Sequence, residues 1–151
     1  MMSLVVFFLI TAAAASFGAL FPPGPWYAGL AKPALTPPDW VFPVVWTVLY
    51  AMIAIAGWLL WRRRNDAPTG RVAVAAWCLQ LGLNATWSWL FFGLHLTGIG
   101  MIELGVLWTM ILITILLSRQ QAPGAGWLML PYLGWVGFAG WLNLGIWWLN
   151  G

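Results

Sequence analysis

Residues 72–93 read VAVAAWCLQLGLNATWSWLFFG, with no Asp, Glu, Lys or Arg among them. A helix needs about 20 apolar residues to cross the hydrocarbon core of a bilayer. Only helices and closed barrels satisfy their backbone polar groups in lipid. This run lacks the strict two-residue alternation of a barrel strand, so it reads as a helix. Four similar runs surround it. Residues 4–21 end at Pro22 and Pro23, and 42–61 end at Arg62-Arg63-Arg64. Residues 98–118 open at Gly98 and close at Arg119-Gln120-Gln121, and 127–149 follow Ala122-Pro123-Gly124. The first run has no basic segment before it and is read as a retained helix, not a cleaved signal. The expectation is an all-α integral membrane protein, a five-transmembrane-helix bundle forming one membrane domain over 1–151.

Composition agrees. Of 151 residues, 63% are hydrophobic and 6% charged, against about 25% charged in a soluble domain. One cysteine, Cys78, excludes an intrachain disulfide framework. One histidine and three carboxylates argue against a metal cage, so no metal site is expected. The formal charge of +3 comes largely from arginines at 62–71, in one short connector. That is not the basic face a nucleic-acid partner requires. Arg62, Arg63, Arg64, Arg71 and Arg119 occupy the second–third and fourth–fifth connectors, while the first holds only Lys32. The excess of positive charge in inner loops places the N-terminus on the inner side; it does not distinguish an inner from an outer envelope membrane. Tryptophan, at 14 residues, is more abundant than lipid solubility requires.

The first connector, 22–41, is not a flexible linker. Seven of the ten prolines fall between Pro22 and Pro43, interleaved with Trp26, Tyr27 and Trp40. Proline lowers the entropy of the free loop and the aromatics give it something to bury. It is expected to fold back as a lid, the alternative being an interfacial aromatic belt.

At 100° per residue the third run has two faces. Trp77, Gln80, Asn84, Trp87, Ser88 and Phe91 share one arc. Ala75, Cys78, Gly82 and Ala85 lie nearly opposite, where small residues let a partner helix approach. Gln80 and Asn84 are costly in lipid unless they pair or line a cavity. In the fifth run Trp135, Phe138, Ala139, Leu142 and Ile146 share a face flanked by Tyr132 and Asn143, and Ala139 leaves space. In the second, Phe42, Trp46, Leu49, Tyr50 and Ile53 do the same. Trp46, Tyr50, Asn84, Trp87, Trp135 and Ala139 all fall near mid-membrane or in the half nearer the proline-rich loop. Together they suit an aromatic-walled cavity for a planar, apolar ligand. Glu103, about one turn inside the fourth run, is an intramembrane carboxylate and a functional candidate. Its alternatives are to snorkel to the interface or to bond His95 or a backbone amide.

Three blocks carry a resemblance to a known family: Thr36–Tyr50 (TPPDWVFPVVWTVLY), Gln80–Gly93 (QLGLNATWSWLFFG) and Pro131–Asn143 (PYLGWVGFAGWLN). In this order and spacing the chain resembles the translocator proteins, also called tryptophan-rich sensory proteins or peripheral-type benzodiazepine receptors (TspO/MBR). The resemblance implies a five-helix bundle, usually dimeric, for which the small-residue Ala75/Cys78/Gly82 face, if its partner is a second subunit and not a helix of the same chain, is the candidate surface. It implies a pocket closed by the first loop for protoporphyrin IX, heme and synthetic benzodiazepine or isoquinoline-carboxamide ligands. No cofactor is required. Family pocket positions match Trp46, Asn84, Trp87, Trp135, Ala139 and Leu142, to which the helical faces add Tyr50 and Phe138. Trp46 and Trp135 match the residues connected with light-dependent porphyrin degradation in some bacterial members, so they are the catalytic candidates if that chemistry operates. Leu142–Gly151 lacks the Tyr and Lys or Arg of the sterol-recognition pattern, itself a weak motif. The leading reading is a porphyrin-binding membrane sensor or regulator. The alternatives are photo-oxidative porphyrin degradation and a small-molecule transporter using Glu103.

Overall fold

The computed structural model describes residues 3–151. They form α1 (Leu4–Ala19), a single turn α2 (Pro25–Ala28), α3 (Val41–Arg62), α4 (Gly70–Ser88), α5 (Thr97–Ser118) and α6 (Pro123–Asn150). A π-helical turn, Trp89–Gly93, continues α4. No strand occurs among the described residues. α3 and α5 are long and apolar enough to cross a membrane, and α1 is a shorter apolar helix. α4 and α6 are less apolar because their inner faces carry Gln80, Asn84 and Asn143 and their length is rich in glycine and tryptophan.

The boundaries follow local chemistry. α1 stops at Ala19, two residues before the expected end, because a residue preceding proline, here Phe21, avoids the helical region. α6 begins at Pro123, four residues earlier than expected. Proline fits the first helical position, where its missing N–H would have had no partner. The π turn was not legible in the run 72–93. Leu94 N–H reaches back to the Trp89 carbonyl at 2.8 Å, and Phe91 is buried on the inward arc expected for it.

The long helices close a ring: α1 packs on α3, α3 on α6, α6 on α5, α5 on α4 and α4 on α1, with α3 and α4 also touching across it. The end bearing the Arg-rich connector is solid, filled by Ile53, Leu60, Trp77, Leu107, Ile111 and Met129. Val44, Val48, Leu79, Ile102 and Leu116 point outward and are exposed, a surface that suits lipid and not water. At the Arg-rich end, Arg62 lies over the Trp58 ring at 4.7 Å and Arg64 over Trp61 at 4.1 Å.

One contact keys the solid half. A Cβ on Gly57 would lie 2.4 Å from the Trp77 indole. Trp77 is 1% exposed and donates its Nε1–H to the Ile53 carbonyl at 3.0 Å. Phe7 closes on its edge at 5.6 Å. Gly57→Ala is therefore expected to destabilise the protein by about 1–3 kcal/mol through overpacking. Thermal unfolding in detergent micelles checks this; an unchanged midpoint would contradict the packing described.

Candidate ligand-binding site

The other half of the ring is hollow. Toward the 20–40 loop the helices part around a pocket of about 510 Å³. α1 contributes Ala15, Gly18 and Ala19, small residues that leave room. α3 contributes Phe42, Trp46 and Tyr50, and α4 with its π turn contributes Asn84, Trp87, Ser88, Phe91 and Phe92. α6 contributes Ala139, Leu142, Asn143 and Ile146. The loop supplies Phe21, Pro22, Pro23, Tyr27 and Asp39.

Six of the residues expected from the helical faces therefore surround one space: Trp46, Tyr50, Asn84, Trp87, Ala139 and Leu142. Trp135 and Phe138 do not. They line a separate apolar groove on the outer side of α3 and α6, with Val44, Val48 and Pro131. Phe42 from α3 stands between Trp135 and the pocket, its ring centroid 5.9 Å from the indole. A helical wheel gives azimuth only. It does not show that α3 interposes a ring one turn below Ala139. Of the two indoles connected with porphyrin breakdown, only Trp46 faces the space.

The walls are mutually braced. Trp46 lies 5.4 Å from Tyr50 and 6.1 Å from Tyr132. Trp87 stacks on Phe91 at 5.0 Å and 20°. Tyr50 donates to Asn84 Oδ1 at 2.5 Å, which ties α3 to α4 and satisfies a buried amide. Asn143 donates to the Thr97 carbonyl at 2.7 Å. Its Oδ1 and the Trp87 Nε1–H are buried without partners, an acceptor and a donor both set against Gly100.

Glu103 neither snorkels to the interface nor bonds His95 or a backbone amide. It is 8% exposed, faces inward from α5 outside the pocket lining, and neither carboxylate oxygen has a hydrogen-bond partner. His95 is engaged elsewhere, stacked on Trp26 at 4.0 Å and 15°.

The loop folds back over the helix ends with two of its three aromatics. Trp26 and Tyr27 sit on α2 and pack against Phe91 and Phe92. Trp40 caps α3 and is 68% exposed. The sequence reading missed the α1 contribution, whose only signal is the small residues Ala15, Gly18 and Ala19. It also missed Asp39, the loop's one acid.

Burial, and then the Asp39 carboxylate, push the Tyr27 phenol above its ordinary value of 10.0. The folded loop thus prefers neutral Tyr27. Its stability is complete below pH 10.0 and is lost as the pH climbs through the raised value. Trp26 fluorescence should report loop release at strongly alkaline pH, and Tyr27→Phe should lack that step. An identical alkaline profile in the variant would contradict the assignment.

Comparison with known proteins identifies the family of the chain. The model of the TspO/MBR family matches residues 5–149. Protein CrtK of Rhodobacter capsulatus is 37% identical over 145 residues, covering 96% of this chain and 91% of its own. The tryptophan-rich protein TspO of Archaeoglobus fulgidus is 42% identical over 127 residues, 83% of this chain and 80% of its own. The human translocator protein is 33% identical over 123 residues, 81% of this chain and 73% of its own.

Proposed function

Since the chain belongs to the TspO/MBR family of membrane sensory and translocator proteins, we propose that it binds a flat tetrapyrrole in the pocket beneath the 20–40 loop. The carrying observation is the pocket itself, in which Trp46, Trp87, Phe91 and Phe92 wall a space of about 510 Å³. Aromatic faces suit a planar apolar ligand, and the volume lies within the usual range of small-molecule sites. Tyr50 and Asn84, the polar side chains of the inner wall, would receive the ligand's polar edge. The lining contains no His, Cys or Met to ligate an iron axially. The phenols Tyr27 and Tyr50 are the iron ligands it could offer, so protoporphyrin IX and heme are both candidate ligands.

The same reading treats all five long helices as membrane spans. Phe7 packs near Trp61 and Gly57, so the N-terminus shares the Arg-rich end, which the charge rule assigns to the inner side. The pocket and its loop then face the opposite side. Ala75, Cys78 and Gly82 are exposed on α4, with open space at Gly82, and form the face assigned to a homodimer.

Protoporphyrin IX should quench the tryptophan fluorescence of the wild type. Ala139→Leu, which fills the pocket, should weaken that binding about tenfold, a loss of about 1.4 kcal/mol. Trp135→Phe, one ring behind the wall, should change it less than threefold, about 0.65 kcal/mol. Equal affinity in wild type and Ala139→Leu would overturn the pocket assignment. Oxidative crosslinking through Cys78 tests the dimer face: a covalent dimer in membranes is expected, and a strictly monomeric product contradicts it.

A further inference from the structure

The 20–40 loop is tied down at two places, on different helices. At one end Trp26 and Tyr27 lie on the π turn and on His95. At the other, Ala31 N–H donates to Asn150 Oδ1 at 3.0 Å, and Asn150 Nδ2 donates to the Ala31 carbonyl at 2.9 Å. The side-chain amide of Asn150 thus pairs with a backbone amide as a neighbouring strand would, across 119 residues of sequence. Asn150 Nδ2 also donates to the Ile146 carbonyl at 2.7 Å, which fixes the side chain on the last turn of α6. Two residues further along the loop, Pro33 rests on α6 where a side chain is missing: a Cβ on Gly145 would lie 2.8 Å from the proline ring.

The segment after this attachment is held against its own preference. Leu35 has φ +68°, in the left-handed region, which costs a residue with a Cβ. Its side chain is 82% exposed, so no burial offsets that cost. Such a conformation persists where surrounding contacts impose it. The contacts are the Asn150 pair, the Pro33 seat and the Thr36 hydroxyl, which donates to the Pro33 carbonyl at 2.7 Å.

None of residues 28–38 lines the pocket. The attachment therefore holds the cover without touching the contents. We propose that Asn150, with Gly145 beneath Pro33, is a clip that holds the loop closed and sets the rate of ligand exchange without setting the affinity. The kinetic part rests on the ligand reading above; the clip itself does not. If ligand passes only when the loop is open, entry and exit both scale with the open fraction, and their ratio is unchanged.

The test uses the full chain in nanodiscs. Hydrogen exchange of the ligand-free protein should show residues 29–36 exchanging roughly tenfold faster in Asn150→Ala, as expected for losing two modest hydrogen bonds. Asn150→Asp keeps the acceptor for Ala31 N–H and loses the donor, so it should fall between. Gly145→Ala should act in the same direction by displacing Pro33. Protection across Ile53–Leu60 should stay at the wild-type level. With protoporphyrin IX, stopped-flow quenching should show association and dissociation rates rising by the same factor, with Kd within twofold. Unchanged exchange at 29–36, or equal loss of protection at Ile53–Leu60, would overturn the clip. A faster dissociation alone would make Asn150 a supporter of the bound ligand and contradict its role as a gate. If the wild type bound no protoporphyrin IX, the ligand reading would fail and the exchange experiment would still decide the clip.

Discussion

Trp77 occupies the place where Gly57 has no side chain, and the rest of the molecule is arranged around that contact. In lipid the hydrophobic effect does not draw helices together, so close packing and internal hydrogen bonds must do it. Gly57 lets the indole reach the backbone of α3, where its N–H finds the Ile53 carbonyl. α3 and α4 are thereby held close at the Arg-rich end. About two turns further along, Tyr50 and Asn84 make the next link between the same helices. Beyond it the ring opens. The solid half is what permits the other half to be hollow.

The polar residues follow the same logic. Each buried amide or hydroxyl in the membrane must be paired or face a space where a partner can come. Asn84 is paired by Tyr50, and Asn143 is half paired by Thr97. Of the atoms left without a partner, Trp87 Nε1 and Asn143 Oδ1 belong to residues of the pocket lining, while Gln80 Oε1, Tyr132 Oη and the Glu103 carboxylate belong to residues packed outside it. The excess of tryptophan divides along the same lines. Trp58 and Trp61 serve arginines at the interface. Trp77 is core, Trp46 and Trp87 are wall, and Trp26 belongs to the cover.

Much of this was legible from residue types and spacing. Continuous apolar runs, charged only at Glu103, gave long helices, and a 100° step brought Trp46, Tyr50, Asn84, Trp87, Ala139 and Leu142 around one space. What was not legible depends on neighbours. Trp135 shares the azimuth of Ala139, but Phe42 from another helix stands in front of it. The π turn at the end of α4 is set by one backbone hydrogen bond that no side-chain pattern announces. The small residues of α1 become pocket residues only because α1 packs beside α3 and α4. Asn150 looked like an end-of-helix residue, and its partner lies in a loop 119 positions away.

The central claim is that a photoactive planar ligand lies among the indoles of the hollow half. Illumination of the protoporphyrin IX complex in oxygen, followed by mapping of oxidised tryptophans by mass spectrometry, tests it most directly. The account predicts oxidation concentrated at Trp46 and Trp87, with Trp127 and Trp148, which face outward, modified no more than in protein illuminated without porphyrin. Oxidation concentrated at Trp127 and Trp148, with Trp46 and Trp87 untouched, would place the porphyrin in the lipid and contradict the account.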